Sequence, residues 1–255
     1  MKSKTGRWFA AETTAPDAAA RLFCLPHAGA GASAYREWQA KVGPDVEVVP
    51  AQLPGREARF AEPTVTSATV IAKDLVEPLV ERAGGKPFAL FGHSMGALLA
   101  YELTHELVAV GRPPVHLVVS GYGGPQLPRP SVYGVVHRLP DDRLAQHVEA
   151  LQGTAGEVLE HPELLKLLLP VLRADYELCE TYRFVGRPPL PVPVTALGGI
   201  EDPSTTDSLL GAWGELTTER FTATRFPGGH FYLTEQLDEV TRAARDAALR
   251  LASHD

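Results

Sequence analysis

The segment at residues 87–101, with the sequence Pro-Phe-Ala-Leu-Phe-Gly-His-Ser-Met-Gly-Ala-Leu-Leu-Ala-Tyr, constrains the fold more than any other part of the chain. Its first half is an apolar run typical of a buried strand, and 95–110 has the apolar content of a packed helix. Between them Ser94 lies on a sharp turn between Gly92 and Gly96, where missing side chains let strand and helix approach each other. A serine on such a turn exposes its hydroxyl in a strained backbone. We therefore predict that Ser94 is a nucleophile.

Strand and helix signals alternate along the 255 residues, which is typical of a mostly parallel sheet covered by helices on both faces. Apolar runs predict strands over 21–25, 46–51, 88–91, 115–120, 193–197 and 221–226. Helical spacing predicts helices over 34–42, 66–83 and 95–110, and a closing helix whose apolar positions run from 233 to 251. Together with the serine turn, this order predicts an α/β-hydrolase fold, as a single domain over residues 1–255.

The alternation breaks over residues 121–190, a segment that begins and ends with loops rich in Pro and Gly. One helical pattern starts at Asp141, and a second is expected to be kinked or interrupted near Pro170. The apolar positions of the two patterns are Leu144, Val148, Leu151, Leu165, Leu168, Leu169, Leu172, Tyr176 and Cys179. Because loops beyond the carboxyl ends of parallel strands build the sites of α/β sheets, we predict a helical lid over Ser94. The alternative is an extra layer of helices on the core.

Composition and charge exclude several classes of function. The chain has 24 basic and 31 acidic residues, a formal net charge of −7 and no basic run, so we expect no nucleic-acid binding. No apolar stretch matches a signal-peptide core or a membrane span, so we expect no membrane association. Cys24 and Cys179 fall in a predicted strand and a predicted helix without Cys-x-x-Cys spacing. They predict buried, reduced thiols, a cytoplasmic protein and no structural zinc.

A serine hydroxyl is a weak nucleophile until a histidine takes its proton and an acid holds that histidine in the right tautomer. On this type of sheet the order along the chain is serine, acid, histidine. The histidines that follow Ser94 are His105, His116, His137, His147, His161, His230 and His254. All but one lie in a predicted helix or strand, in the 121–190 segment or beside the C-terminus. His230 lies in a glycine loop between the last strand and the last helix, and we predict it as the base.

The acid is expected after the strand at 193–197, in the loop Gly-Gly-Ile-Glu-Asp-Pro at 198–203. Asp202 stands directly before a proline, which favours an extended backbone and fixes its direction. Glu201 is the competing carboxylate, and we interpret it as a solvated charge. Asp207 opens the next helix, where a negative charge is favourable. We therefore predict that Asp202 is the acid.

The reaction also needs hydrogen-bond donors for the negatively charged oxygen of the intermediate. One is the backbone N–H after the nucleophile, on Met95, and the second comes from a loop after an early strand. The small residues at 28–31 form that loop, and the candidate donor is Ala28 N–H, with Gly29 as the alternative. His27 comes too early in the chain to be the base, so we expect it to shape this loop through hydrogen bonds.

Five motifs together carry a family resemblance. They are Pro-His-Ala-Gly at 26–29, Gln-Leu-Pro-Gly-Arg at 52–56, Gly-His-Ser-Met-Gly at 92–96, Ala-Asp-Tyr-Glu-Leu-Cys-Glu-Thr-Tyr at 174–182 and Pro-Gly-Gly-His-Phe at 227–231. From about residue 20 to 235 the chain resembles the type II thioesterases, the stand-alone editing enzymes of polyketide and nonribosomal peptide assembly lines. The resemblance implies Ser94, Asp202 and His230 as the triad and a lid of helices around a substrate chamber. Arg56 matches the family motif, but the sequence assigns it no chemical role.

The resemblance also implies the substrate and the partners. The expected reaction removes stalled or wrong acyl groups from the phosphopantetheine arm of acyl or peptidyl carrier proteins of a synthase. We expect a monomer that uses no cofactor or metal of its own. Carrier domains are usually acidic and this chain has a formal net charge of −7, so long-range attraction should not drive docking. Docking is expected to rest on a local basic patch, for which Arg129 and Arg138 are candidates.

Other functions fit parts of the same pattern. An acyl-CoA hydrolase or a small-molecule esterase would use the same triad, and fold cannot separate them from a carrier-specific enzyme. A hydrolase fold used only as a binding module would have lost the nucleophile, acid or base, and all three are present here. Since no carrier domain or linker precedes the fold, we also expect a stand-alone enzyme rather than a cyclising domain.

Overall fold

The computed structural model describes residues 4–9, 14–128, 135–150 and 162–249. In these ranges six strands form one parallel sheet in the order β2-β1-β3-β4-β5-β6. The strands are β1 Ala20–Leu25, β2 Val46–Pro50, β3 Phe88–His93, β4 His116–Ser120, β5 Val194–Gly199 and β6 Phe221–Phe226. The α-helices are α1 Lys4–Trp8, α2 Trp38–Val42, α3 Ala68–Ala83, α4 Met95–Ala109, α5 Asp141–Ala150, α6 Pro162–Thr181, α7 Asp207–Gly211, α8 Tyr232–Glu235 and α9 Leu237–Leu249.

The two faces of the sheet are covered by different helices. Alternate residues of β1 point to opposite faces, so Phe23 and Leu25 belong to one core cluster while Leu22 and Cys24 belong to the other. The first cluster packs the sheet against α3 and α4, and the second packs it against α2 and α9. Burial on both faces explains why these strands are continuous apolar runs rather than alternating ones.

The predicted α/β-hydrolase architecture is confirmed, with local differences. The helix expected over 34–42 is a 3₁₀ turn at Ala32–Tyr35 followed by the short helix α2. The closing helix is divided into α8 and α9. Helix α6 runs without interruption through Pro170, which is exposed. Its neighbours Leu169 and Leu172 are buried, and their packing offsets the backbone hydrogen bond that proline removes.

The segment between β4 and β5 contributes two described helices, α5 and α6. With the 3₁₀ turn Val136–Arg138 they form a small core of their own, whose buried members are Val136, Leu144, Leu169 and Leu172. Near its C-terminal end α6 joins the main core through Leu178 and Cys179. One end of α6 is therefore an added layer on the sheet, and the other belongs to a separate helical unit.

Several residues named from the sequence lie outside the described ranges: Arg129, Leu151, His161 and His254. In the part of the chain that the structure does describe, no helix is both long and apolar enough to cross a membrane.

All six strands are parallel, so their carboxyl ends meet at one edge of the sheet. Six loops leave this edge, one after each strand. The register places Leu25 opposite Gly92, and His93 opposite Ser120. Residues far apart in sequence are thereby brought to one place, and the predicted site residues lie there.

Candidate active site

Ser94 occupies the strained turn between β3 and α4. Its φ of 54° and ψ of −118° lie in a region that side chains rarely adopt, and its N–H donates to Ser120 O at 2.7 Å. A methyl group on Gly92 would lie 2.0 Å from Gly96 O, and one on Gly96 would lie 2.0 Å from Leu25 O. Both positions therefore require glycine, and the sharp turn that results leaves the serine hydroxyl accessible.

The three residues predicted as a triad lie in hydrogen-bond contact. His230 Nε2 is 3.0 Å from Ser94 Oγ, and His230 Nδ1 is 2.8 Å from Asp202 Oδ2. The other carboxylate oxygen of Asp202 accepts from Ser204 N–H at 2.9 Å and from Ser204 Oγ at 2.6 Å. Burial alone would raise the pKa of Asp202, but the hydrogen bonds and charge of His230, with those from Ser204, lower it below its ordinary value. Asp202 is thus held ionised beside the imidazole.

Glu201 makes a contact that the sequence did not predict. Its carboxylate accepts a hydrogen bond from Gly228 N–H, and its own N–H donates to Gly228 O at 3.1 Å. Glu201 is exposed, as expected of a solvated charge, and its side chain also holds the loop that carries His230. Sequence reasoning had no signal for this contact, which joins two loops on neighbouring strands.

The two candidate oxyanion donors on the early loop are not equivalent. Gly29 N–H donates to Asp175 Oδ2 at 2.7 Å, so it is already engaged. Ala28 remains as the candidate from this loop. Met95 is the first residue of α4, where backbone N–H groups have no partner within the helix and the helix dipole favours negative charge.

Two further histidine rings, His27 and His93, lie close to the triad histidine. The His93 ring centre is 5.1 Å from that of His230 and 5.9 Å from that of His27, which also packs edge-on against Phe231 at 4.9 Å. Burial, followed by the charge of His230, lowers the pKa of His27 to about 3 and that of His93 well below its ordinary value. The His27 side chain makes ring contacts, and its backbone carbonyl accepts a hydrogen bond from Ala30 N–H at 3.1 Å within the loop. Both rings are neutral near pH 7.

A buried hydrogen-bonded chain continues from His93. Its Nδ1 is 2.9 Å from Ser120 Oγ, which is 2.7 Å from Tyr232 OH. Burial raises the pKa of Tyr232, so this hydroxyl keeps its proton. The chain ties the ends of β3 and β4 to α8, directly after the loop of His230. Sequence reasoning missed Ser120 and Tyr232, because neither carries a local motif.

A cleft of about 2010 Å³ opens above Ser94 and His230. One wall comes from α5 and α6 and is formed by His147, Val148, Leu168, Leu172, Tyr176 and Cys179. Of the apolar residues predicted to face the site, Leu144 is instead fully buried in the core of the inserted helices. This wall of the cleft is mostly apolar, which suits a hydrocarbon chain.

In the described part of the chain, charged side chains of both signs line the cleft, three arginines and five acidic residues. Arg36 and Arg183 line it, whereas the candidate docking residue Arg138 is exposed on the 3₁₀ turn before α5. Among the described residues, no group of three or more His, Cys, Asp or Glu side chains is arranged to hold a metal ion. The role of Arg138 in docking a carrier protein stays a prediction.

Most of the chain is similar to known thioesterases. The family model described as the thioesterase domain matches residues 20–247. The gramicidin S biosynthesis protein GrsT from Aneurinibacillus migulanus is 39% identical over 242 residues, which cover 93% of this chain and 92% of that protein.

Two solved structures are also similar. The type II thioesterase BorB from the borrelidin biosynthetic cluster superposes with a TM-score of 0.87 at 38% identity, covering 97% of this chain and 99% of that one. YbtT, a type II thioesterase from the yersiniabactin NRPS/PKS biosynthetic pathway, has a TM-score of 0.79 at 30% identity, covering 91% of this chain and 96% of that one.

Proposed function

This chain belongs to the thioesterase family and hydrolyses thioesters, and we propose that it releases acyl groups from the phosphopantetheine arm of acyl or peptidyl carrier proteins. In this role it clears stalled or wrong chains from a polyketide or nonribosomal peptide synthase. The observation that carries the chemistry is the hydrogen-bonded series Ser94, His230, Asp202 at the carboxyl edge of the sheet.

In the proposed first half-reaction, Ser94 Oγ attacks the thioester carbonyl while His230 Nε2 takes the hydroxyl proton. Asp202 accepts a hydrogen bond from Nδ1–H, which keeps Nε2 free to act as the base and stabilises the charged ring. The tetrahedral intermediate then expels the thiolate of the pantetheine arm, which receives the proton from His230. The product is an acyl ester of Ser94.

The second half-reaction removes the acyl group. His230 takes a proton from a water molecule, whose oxygen attacks the ester carbonyl of the acyl-enzyme. Collapse of this second intermediate breaks the bond to Ser94 Oγ, which recovers the proton from His230, and the free acid leaves. In both steps the backbone N–H groups of Ala28 and Met95 would donate to the negatively charged oxygen.

The cleft supports a long acyl substrate on an arm. Typical small-molecule sites enclose about 300–1000 Å³, whereas the cleft here holds about 2010 Å³. Its side toward α5 and α6 is mainly apolar, with few groups that would select one polar substituent. These features support tolerance for many acyl chains, which is what an editing enzyme needs. The family likeness to BorB and YbtT supports a partner of the carrier type.

The decisive experiment presents one acyl group on three thiols: a carrier protein's phosphopantetheine, CoA, and N-acetylcysteamine. We expect the carrier substrate to have the highest kcat/KM, mainly through a lower KM, because the protein part adds binding without changing the reacting bond. Ser94→Ala protein is the control for background hydrolysis. Equal or better use of CoA over several acyl groups would instead identify a metabolic acyl-CoA hydrolase.

A further inference from the structure

Two sequence motifs that the mechanism leaves without a role meet in one buried contact. Arg56 ends the Pro-Gly-Arg turn, and Asp175 lies in α6, 119 positions later. Arg56 Nη1 is 2.6 Å from Asp175 Oδ2, and Nη2 is 2.8 Å from Oδ1. The side chains are only 8% and 1% exposed. This paired geometry is the strongest form of an arginine–carboxylate contact.

The same pair also holds the loop that carries the candidate oxyanion donor. Asp175 Oδ2 accepts from Gly29 N–H at 2.7 Å, and Arg56 Nη1 donates to Ala30 O at 3.1 Å. Two peptide groups of the loop, the one before Gly29 and the one after Ala30, are therefore fixed by charged side chains. Gly29 has a φ of 79°, and a methyl group there would lie 2.5 Å from Leu172 Cδ2 of α6. The backbone next to Ala28 is thus held at two points by charged side chains.

We infer that Arg56 and Asp175 are positioning residues that aim Ala28 N–H at the developing oxyanion. Gly29 N–H binds Asp175, which fixes the peptide between Ala28 and Gly29. Ala30 N–H donates to His27 O at 3.1 Å, which holds the neighbouring peptide that carries Ala28 N–H. Oxyanion donors act only when they are within a few tenths of an ångström of the productive position. The inference rests on the proposed mechanism, in which Ala28 N–H serves the reaction.

Stability alone is a poor explanation for this pair. Removing two charges from water is costly, and an apolar pair of similar volume is often as stable or more so. A geometric role explains why the charges are used. Asp175 accepts from Gly29 N–H and from both Arg56 Nη atoms at once, which needs two acceptor oxygens, whereas a neutral amide has only one. Helix α6 is thereby part of the reaction geometry, and any shift of Asp175 would move the loop.

The test compares Asp175→Asn and Arg56→Lys with Glu47→Gln, a matched control. Glu47 is also a buried carboxylate, 1% exposed, and it pairs with Arg21 and Arg82 at the amino end of the sheet, away from the cleft. The measurements are kcat and KM for an N-acetylcysteamine thioester, the pH profile of kcat/KM, the inhibition constant of an alkyl trifluoromethyl ketone, and Tm. The ketone adds to Ser94 and carries an oxyanion in the bound form.

In Asp175→Asn one carboxylate oxygen becomes an NH₂ group that cannot accept from Arg56, so the paired contact that holds the loop is broken even where the remaining oxygen still accepts from Gly29 N–H. We expect kcat to fall about 100-fold with KM changed less than threefold, as for a displaced oxyanion donor. The inhibition constant of the ketone should rise by the same factor, since it reports transition-state binding. The pH profile should keep its shape because His230 is untouched. Arg56→Lys should show a smaller loss in the same direction, and Glu47→Gln should lower Tm without changing kcat or inhibition.

A merely structural pair would give the opposite result. Both variants would then lose Tm as Glu47→Gln does, with kcat and ketone inhibition within twofold of wild type, and the inference would be wrong. If Asp175→Asn does not fold, Arg56→Lys decides by the same measurements, because it keeps the charge and loses the paired geometry. If the ketone failed to inhibit even the wild-type enzyme, the proposed mechanism would fail and the inference with it.

Discussion

The carboxyl edge of the sheet and the helices inserted between β4 and β5 contribute to the site in different ways. At the sheet edge each predicted triad residue sits in the loop directly after a strand, and the strand order alone brings the three together. The inserted helices reach the cleft only by packing over it, and part of that packing belongs to a core of their own. The chemistry is therefore a property of strand ends, whereas the shape of the cleft depends on helix packing.

Asp175 is the exception that makes the comparison useful. It lies in an inserted helix, yet its carboxylate binds the loop after β1. One end of the insertion is thus tied to the reaction geometry, while Val148 and Leu168 form a wall of the cleft. We expect substitutions at the sheet edge to abolish chemistry, and substitutions along the cleft wall to change substrate preference.

The largest expected effect is that of Ser94→Ala at the sheet edge. Removing the nucleophile of a serine triad lowers kcat by about 10⁶ while the fold survives. Steady-state release of thiol, with Tm as the check on folding, measures this. Ser208→Ala, at an exposed serine of α7, is the matched control and should keep full activity. Substantial turnover by folded Ser94→Ala would show that the chemistry does not reside at this edge.

Asp202→Asn should lower kcat by about 10⁴, because the amide favours the wrong tautomer of His230. Glu201→Gln should lower it only a few-fold, since a glutamine oxygen can still accept from Gly228 N–H. Kinetics of the two variants side by side with one substrate test the assignment. If Glu201→Gln caused the large loss of kcat and Asp202→Asn the small one, Glu201 would be the acid of the triad.

The inserted helices should affect selectivity. Leu168→Phe places a larger side chain on the wall and so narrows the cleft. The ratio of kcat/KM for long acyl chains to that for short ones should fall about tenfold, because the cleft loses room for methylene groups. Leu144→Ala is the contrasting variant. It opens a cavity in the buried core of the insertion and should cost about 2–5 kcal/mol of stability with the ratio unchanged. Equal selectivity in both variants would mean that Leu168 contributes to the packing of the inserted helices and does not contact the acyl chain.

The smallest expected effect concerns the pH dependence of stability at the sheet edge. The folded protein holds the pKa of His27 at about 3, so between pH 6.5 and 3 the unfolded chain binds a proton that the folded chain does not. The free energy of unfolding should therefore fall as the pH falls through this range. His27→Gln should reduce the slope by about 1 kcal/mol per pH unit. Urea unfolding at pH 5 and pH 6 measures it, and equal slopes would contradict the assigned pKa.

Much of the fold could be predicted from the sequence because its signals are local. Apolar runs of strand length predicted all six described strands, with no end off by more than two residues. The glycines of the serine turn are required by contacts within a few positions of Ser94 or with the adjacent strand. The topological rule that orders serine, acid and histidine then selected Asp202 and His230, which the structure brings together.

Contacts between distant segments could not be predicted in this way. The choice of Ala28 over Gly29 depends on Asp175, which comes from a helix that packs onto the loop only in the folded chain. Glu201 and Tyr232 likewise gain their partners through the side-by-side placement of strand ends. The continuity of α6 through Pro170 depends on burial of its other face. A pattern in the sequence encodes what each segment forms by itself, whereas a shared hydrogen bond depends on the angle and depth at which two segments pack.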